Sequence, residues 1–288
     1  MNRRRFLKTV GVAGASLAGV PDAADAAEPR GGAPEFWGVL VDTTRCIGCR
    51  SCERACAVEH DLPVPDIEND GALERQRDTS PSSWTLVNRY ETSRGEVFVK
   101  RQCMHCWQPA CVAACLTRAM YKTETGPVIW RTSQCMGCRY CMVSCPFNVP
   151  KFEYDEWNPK IQKCDLCWQR LEQGGKPACV EGCPTDALMF GRKRDLMEIA
   201  RTRIYNHPDR YVHKIYGEHE VGGTGWLYLA AVPFEELGFR TDLGTTPYPE
   251  YTRDFLYGVP LVLFGLPALL YGMHELSEPQ GREPAGEE

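Results

Sequence analysis

No cysteine in this chain stands outside a group of four, no C-x-x-C-H run occurs, and no G-x-G-x-x-G follows a strand-like segment. The second absence excludes c-type haem attachment, and the third excludes a Rossmann dinucleotide site. An excess of basic charge is also missing. Lys and Arg total 33 against 38 Asp and Glu, a formal net charge of −5, so nothing suggests nucleic acid. No residue is singled out as a catalytic acid, base or nucleophile. Beyond the N-terminus only one long uncharged apolar run occurs, near the C-terminus.

What is present is sixteen cysteines in four quartets. These are Cys46, Cys49, Cys52 and Cys56; Cys103, Cys106, Cys111 and Cys115; Cys135, Cys138, Cys141 and Cys145; and Cys164, Cys167, Cys179 and Cys183. Quartets one and three read C-x2-C-x2-C-x3-C, the bacterial ferredoxin spacing for a [4Fe–4S] cubane. Three closely spaced thiolates on a curled loop can hold three corners of such a cube. Gly48 and Gly137 can take the positive φ that the curl needs. The fourth cysteine ligates the other cluster of a pair. Pro146 and Pro184 complete the C-P signature, whereas Ala57 and Leu116 stand in its place after quartets one and two.

Quartets two and four, with spacings C-x2-C-x4-C-x3-C and C-x2-C-x11-C-x3-C, would also suit structural zinc. A disulfide framework is a further alternative for an exported chain, although cysteines three apart in tight loops suit it poorly. His105, inside C-M-H-C-W, is expected to tune or pack on a cluster rather than ligate it. Arg50, Arg139 and Lys163 lie in or beside the quartets. They read either as cations stabilising reduced clusters or as solvated loop charges.

The quartets repeat around β-hairpins. Ala119–Trp130 reads as strand, turn at Glu124–Pro127, strand. Residues 101–159 thus form an expected inner two-cluster module. Phe36–Asp42 runs as a strand into quartet one and Ala187–Gly191 runs out of quartet four. Their pairing would close an outer module from residues 36–100 and 160–200. The expected fold is α+β, with one ferredoxin-like module inserted in the other and a single C-terminal transmembrane helix. Swapped fourth ligands then group Cys46, Cys49 and Cys52 with Cys183, and Cys164, Cys167 and Cys179 with Cys56. Cys103, Cys106 and Cys111 take Cys145, and Cys135, Cys138 and Cys141 take Cys115.

The ends point to export and anchoring. Arg3-Arg4-Arg5-Phe6-Leu7-Lys8, a weakly apolar run and Ala24-Asp25-Ala26 read as a twin-arginine signal peptide over residues 1–26. That route exports folded protein with clusters already inserted. Residues 254–274 contain nineteen uncharged residues, Phe255–Met273, about enough to span a bilayer. Tyr257 and Tyr271 would lie near the interfaces, and residues 275–288 form an acidic tail. A helix lying against a membrane partner is the alternative. Residues 201–253 read as a turn-rich docking extension over the core, and residues 57–100 as a partly β-forming insertion.

The four quartets together with Tyr216–Thr224 resemble the four-cluster iron–sulfur subunits of bacterial respiratory oxidoreductases. These include those of formate dehydrogenase and of DMSO- and polysulfide-type reductases. The signal and the single C-terminal helix make the chain most similar to the hydrogenase 2 type. The resemblance implies a non-catalytic electron-transfer subunit on the periplasmic side of the cytoplasmic membrane, serving anaerobic respiration. It implies four [4Fe–4S] clusters on the sixteen cysteines, and a place between a catalytic partner and a multi-helix quinone-reactive membrane subunit. A molybdenum or tungsten enzyme could replace the hydrogenase as partner. The reading of a different class is a zinc-stabilised assembly scaffold.

Overall fold

The computed structural model describes residues 36–277. The twin-arginine signal and residues 278–288 of the acidic tail lie outside them. The chain divides into two compact units at Tyr251 and Thr252.

In the larger unit, β1 (Trp37–Asp42) leads into the first quartet and α1 (Ser51–Glu59). A hairpin of β2 (Leu86–Thr92) and β3 (Gly95–Arg101) follows, then α2 (Ala110–Ala113). The expected second hairpin is β4 (Met120–Lys122) with β5 (Val128–Trp130), and α3 (Tyr140–Val143) comes after it. A short pair, β6 (Lys151–Phe152) and β7 (Ile161–Gln162), precedes α4 (Trp168–Glu172) and α5 (Ala178–Glu181). Then come β8 (Leu188–Arg192), α6 (Lys193–Asn206) and β9 (Trp226–Leu229).

The central sheet has the order β8-β1-β9. β1 pairs antiparallel with β8, Val39 opposite Phe190, as the sequence led one to expect. β1 also pairs in parallel with β9, Val39 opposite Trp226. Here the structure departs from the reading of residues 201–253 as an extension over the core. Trp226, Leu227, Tyr228 and Leu229 are all buried, because a strand covered on both faces hides every side chain. Successive side chains alternate between faces. Val39, Val41, Trp226 and Tyr228 join Tyr216, Val232, Phe234 and the Cys52 and Cys179 side chains on one face. Leu40, Leu227 and Leu229 meet Leu196 and Ala200 of α6 on the other.

The smaller unit carries most of α7 (Glu250–Ser277). At 1.5 Å per residue its 28 residues are about 42 Å long. Its most apolar stretch has a mean hydropathy of 1.8, so it is long and apolar enough to cross a membrane. Pro260 and Pro267 lie inside it.

Candidate metal centres

The same backbone device recurs at each quartet. The residue before the second cysteine has positive φ in all four: Gly48 at 72°, His105 at 47°, Gly137 at 72° and Leu166 at 63°. For His105 and Leu166 that conformation costs roughly 1–2 kcal/mol each, so the loop geometry is held against local preference. The third cysteine of every quartet, Cys52, Cys111, Cys141 or Cys179, is the second residue of a short helix. Three residues beyond the fourth cysteine, Arg118, Asn148 and Asp186 also take positive φ. Quartet one departs, since α1 runs on through Glu59.

No disulfide joins the sixteen cysteines, and many lie close enough to influence one another. Cys46 is raised to about 11, first by burial and then by its neighbours Cys183 and Cys49, and Cys52 feels Cys46. These four line one small pocket. Cys56 is raised by burial and by Cys179 and Cys167, and Cys164 by burial and Cys56. Cys106 is raised by burial and by Cys145, Cys103 and Cys111. Cys141, raised to about 11, responds to burial and to Cys115, Cys135 and Cys138. Each of these neighbourhoods brings thiols of one quartet beside a thiol of another, as swapped fourth ligands require.

The sets also lie near one another in series. Cys52 feels Cys179, Cys164 feels Cys103, and Cys111 feels Cys141. Cys52 and Cys179 share one buried cluster, Cys103 and Cys164 a second, Cys111 and Cys141 a third. Cys138 alone among the sixteen is exposed, at one end of the series.

This donor set fits iron. Burial alone would keep most of the thiols protonated; a bound cation reverses that and deprotonates its ligands. Backbone N–H groups already point at sulfur. Leu166 donates to Cys164 and Ala178 to Cys167, each at 3.4 Å, and Met120 to Cys115 at 3.3 Å. At Cys115 burial is the largest single influence and acts upward, yet such hydrogen bonds together outweigh it and lower the thiol.

The surrounding polar residues take different parts. His105 is buried, its Nδ1 accepts from the Val128 N–H at 2.9 Å, and its Nε2 lies 3.6 Å from Cys164 Sγ. His60 Nε2 similarly lies 3.5 Å from Cys167 Sγ and 3.5 Å from Asp165. Lys163 is a buried ammonium beside Cys103, Cys111 and Cys164. Arg50 is neither a free loop charge nor an unpaired cation: it is buried and paired with buried Glu53 at 3.2 Å. Arg139 is exposed over the Phe152 and Tyr154 rings. Lys100 and Glu53 escaped the sequence reading. The only signal for Lys100 was a lysine within a β-forming stretch.

A 4Fe-4S dicluster domain family matches residues 95–193. A Nitratidesulfovibrio vulgaris (strain Hildenborough) protein is 48% identical over 271 residues, covering 91% of this chain and 73% of the relative. Hydrogenase-2 operon protein HybA of Escherichia coli O157:H7 is 36% identical over 295 residues, covering 89% and 90%. The iron-sulfur subunit of the nitrate-inducible formate dehydrogenase of E. coli K12 is 35% identical over 197 residues, 66% of each chain.

Proposed function

The chain belongs to the iron–sulfur electron-transfer subunits typified by HybA and the formate dehydrogenase iron–sulfur subunits, and we propose that it carries four [4Fe–4S] clusters in a single line. It is an electron-transfer subunit, not a catalytic one. The observation that carries the four-cluster reading is that the four cysteine quartets meet across one another, as where Cys183 of the fourth joins Cys46, Cys49 and Cys52 of the first around one pocket. When bound, the clusters would supply one-electron chemistry.

The chain's own residues space, bury and tune these centres. The series runs from Cys46, Cys49, Cys52 and Cys183 to Cys56, Cys164, Cys167 and Cys179. It continues to Cys103, Cys106, Cys111 and Cys145, and ends at Cys115, Cys135, Cys138 and Cys141. The shared buried clusters of Cys52 with Cys179, Cys103 with Cys164 and Cys111 with Cys141 support that order, and the exposed Cys138 supports the last set as an exit to a partner. We place the protein at the periplasmic face of the cytoplasmic membrane, exported by the twin-arginine route and anchored by α7. Its partners are a catalytic subunit, a [NiFe] hydrogenase by likeness to HybA, and a quinone-reactive membrane subunit. The likeness to a formate dehydrogenase subunit supports a molybdenum or tungsten enzyme as the second reading.

The test is metal analysis of the intact complex, drawn from gently solubilised membranes by a tag on this chain. About sixteen irons and as many sulfides per chain, beyond those of the partner, are expected. Nickel would favour the hydrogenase, and molybdenum or tungsten the second reading. Zinc at four per chain with no sulfide would overturn the electron-transfer role.

A further inference from the structure

We propose that the ammonium of Lys100 is a fixed counter-charge shared by the first two metal centres of the series, and that it raises the reduction potential of both. This rests on the reading of the thiol sets as cluster ligands. Lys100 is buried, and its Nζ bonds Thr85 Oγ1 at 2.5 Å and Gln102 Oε1 at 2.9 Å. The Trp226 ring lies 4.5 Å from it. All three partners are neutral. Among the described residues no carboxylate pairs with Lys100, whereas the equally buried Arg50 has Glu53. A buried unpaired ammonium should lose its proton to escape the desolvation cost.

The opposite charge is nevertheless at hand. Lys100 lines the pocket formed by Cys46, Cys49, Cys52 and Cys183. Burial acts against its charge, but Cys179, Cys52 and Cys164 lie near enough to act for it, and a bound cluster would make thiolates of them. Cys52 belongs to the first set; Cys179 and Cys164 belong to the second. The side chain is fixed from both sides, since Gln102 donates to the Tyr228 hydroxyl at 2.6 Å and that hydroxyl donates to the Lys100 carbonyl at 3.0 Å. An electron arriving at either centre adds negative charge beside a cation that water cannot screen, so the reduced form gains.

The experiment is a potentiometric titration followed by electron paramagnetic resonance on the intact complex, comparing the parent with Lys100→Met and Lys100→Arg. With iron content unchanged, Lys100→Met should lower two midpoints, each by at least tenfold in the reduction equilibrium, about 59 mV for one electron. The other two should move less, and Lys100→Arg should restore the parent values. Four unchanged midpoints, or shifts confined to the far two centres, would overturn the proposal. Should Lys100→Met lose iron, Lys100→Gln replaces it: midpoints equal to those of Lys100→Arg overturn the proposal, and lower ones uphold it. Absence of cluster signals from the parent itself would instead defeat the four-cluster reading, whatever Lys100 does.

Discussion

The Nε2 of His105 lies 3.6 Å from the Sγ of Cys164, although the two residues belong to different quartets. His105 sits between Cys103 and Cys106, so its ring reaches from one thiol set to a ligand of the next. Its tautomer is settled by Val128, whose N–H donates to Nδ1. The proton is therefore on Nε2 and faces sulfur. The backbone is clamped too: the Gly225 N–H donates to the Met104 and His105 carbonyls at 2.9 and 3.1 Å. A Cβ at Gly225 would stand 3.2 Å from His105.

An N–H···S bond stabilises the more negative, reduced centre. His105→Asn tolerates the positive φ but is too short to reach Cys164. Iron content should hold, and the midpoint of the centre on Cys164 should fall by roughly 40 mV, the one-electron equivalent of about 1 kcal/mol. An unchanged midpoint in a potentiometric titration would show that the ring only packs.

Two glycines in identical motif positions should respond differently. Gly48 and Gly137 both have φ of 72°, so alanine at either adds roughly 1–2 kcal/mol of backbone strain. At Gly137 an added Cβ meets nothing within 4 Å, but at Gly48 it would lie 2.5 Å from the Phe98 ring. Gly48→Ala must also displace the Phe98 ring. We expect Gly137→Ala to retain nearly full iron and Gly48→Ala to lose a measurable part of it. Equal iron contents would mean that Phe98 yields freely.

Local features of this chain were legible in its sequence, and distant pairings only in part. The quartets, the curl at Gly48 and Gly137, and the hairpin at Met120–Trp130 follow from spacing and turn chemistry. The pairing of β1 with β8 followed because both strands abut quartets. β9 escaped because Trp226–Leu229 is a four-residue apolar run after a glycine-rich turn, with no motif to mark its partner. Glu53 and Lys100 escaped for a related reason. Each is a charged residue at a position whose burial is decided by segments far away in sequence: Arg77 and Val87 for Glu53, Trp226 for Lys100. Composition cannot tell a buried charge from a solvated one.

Glu53 ties the first quartet to its insertion. Its carboxylate accepts from Arg50 at 3.2 Å, from Arg77 at 2.7 Å and from the Val87 N–H at 2.7 Å. Arg50 in turn donates to the Asp66 and Asn69 carbonyls. Removing the carboxylate strands a buried guanidinium, a loss of about 3–5 kcal/mol. Glu53→Ala should therefore lower the denaturant midpoint of the iron-loaded chain and speed iron release to a chelator. Glu53→Gln, which keeps one acceptor, should fall between. Parent-like release from both variants would mean that the insertion holds without this link.

The last prediction concerns α7. Its apolar residues from Phe255 to Met273 are almost all exposed, so within the chain they gain nothing by being apolar. A helix of about 42 Å in which Phe255, Leu256, Leu261, Val262, Leu263 and Phe264 are exposed suits lipid on every side. Expressed without partner subunits, the full chain should stay with the membrane after a high-salt wash, and a chain ending at Thr246 should be soluble. Leu263→Lys with Leu266→Lys places two charges near the helix centre, at about 2.5–3.5 kcal/mol each on the insertion scale. That variant should also leave the membrane while keeping its iron. If salt alone strips the full chain, or the double lysine variant stays bound, α7 does not anchor by insertion.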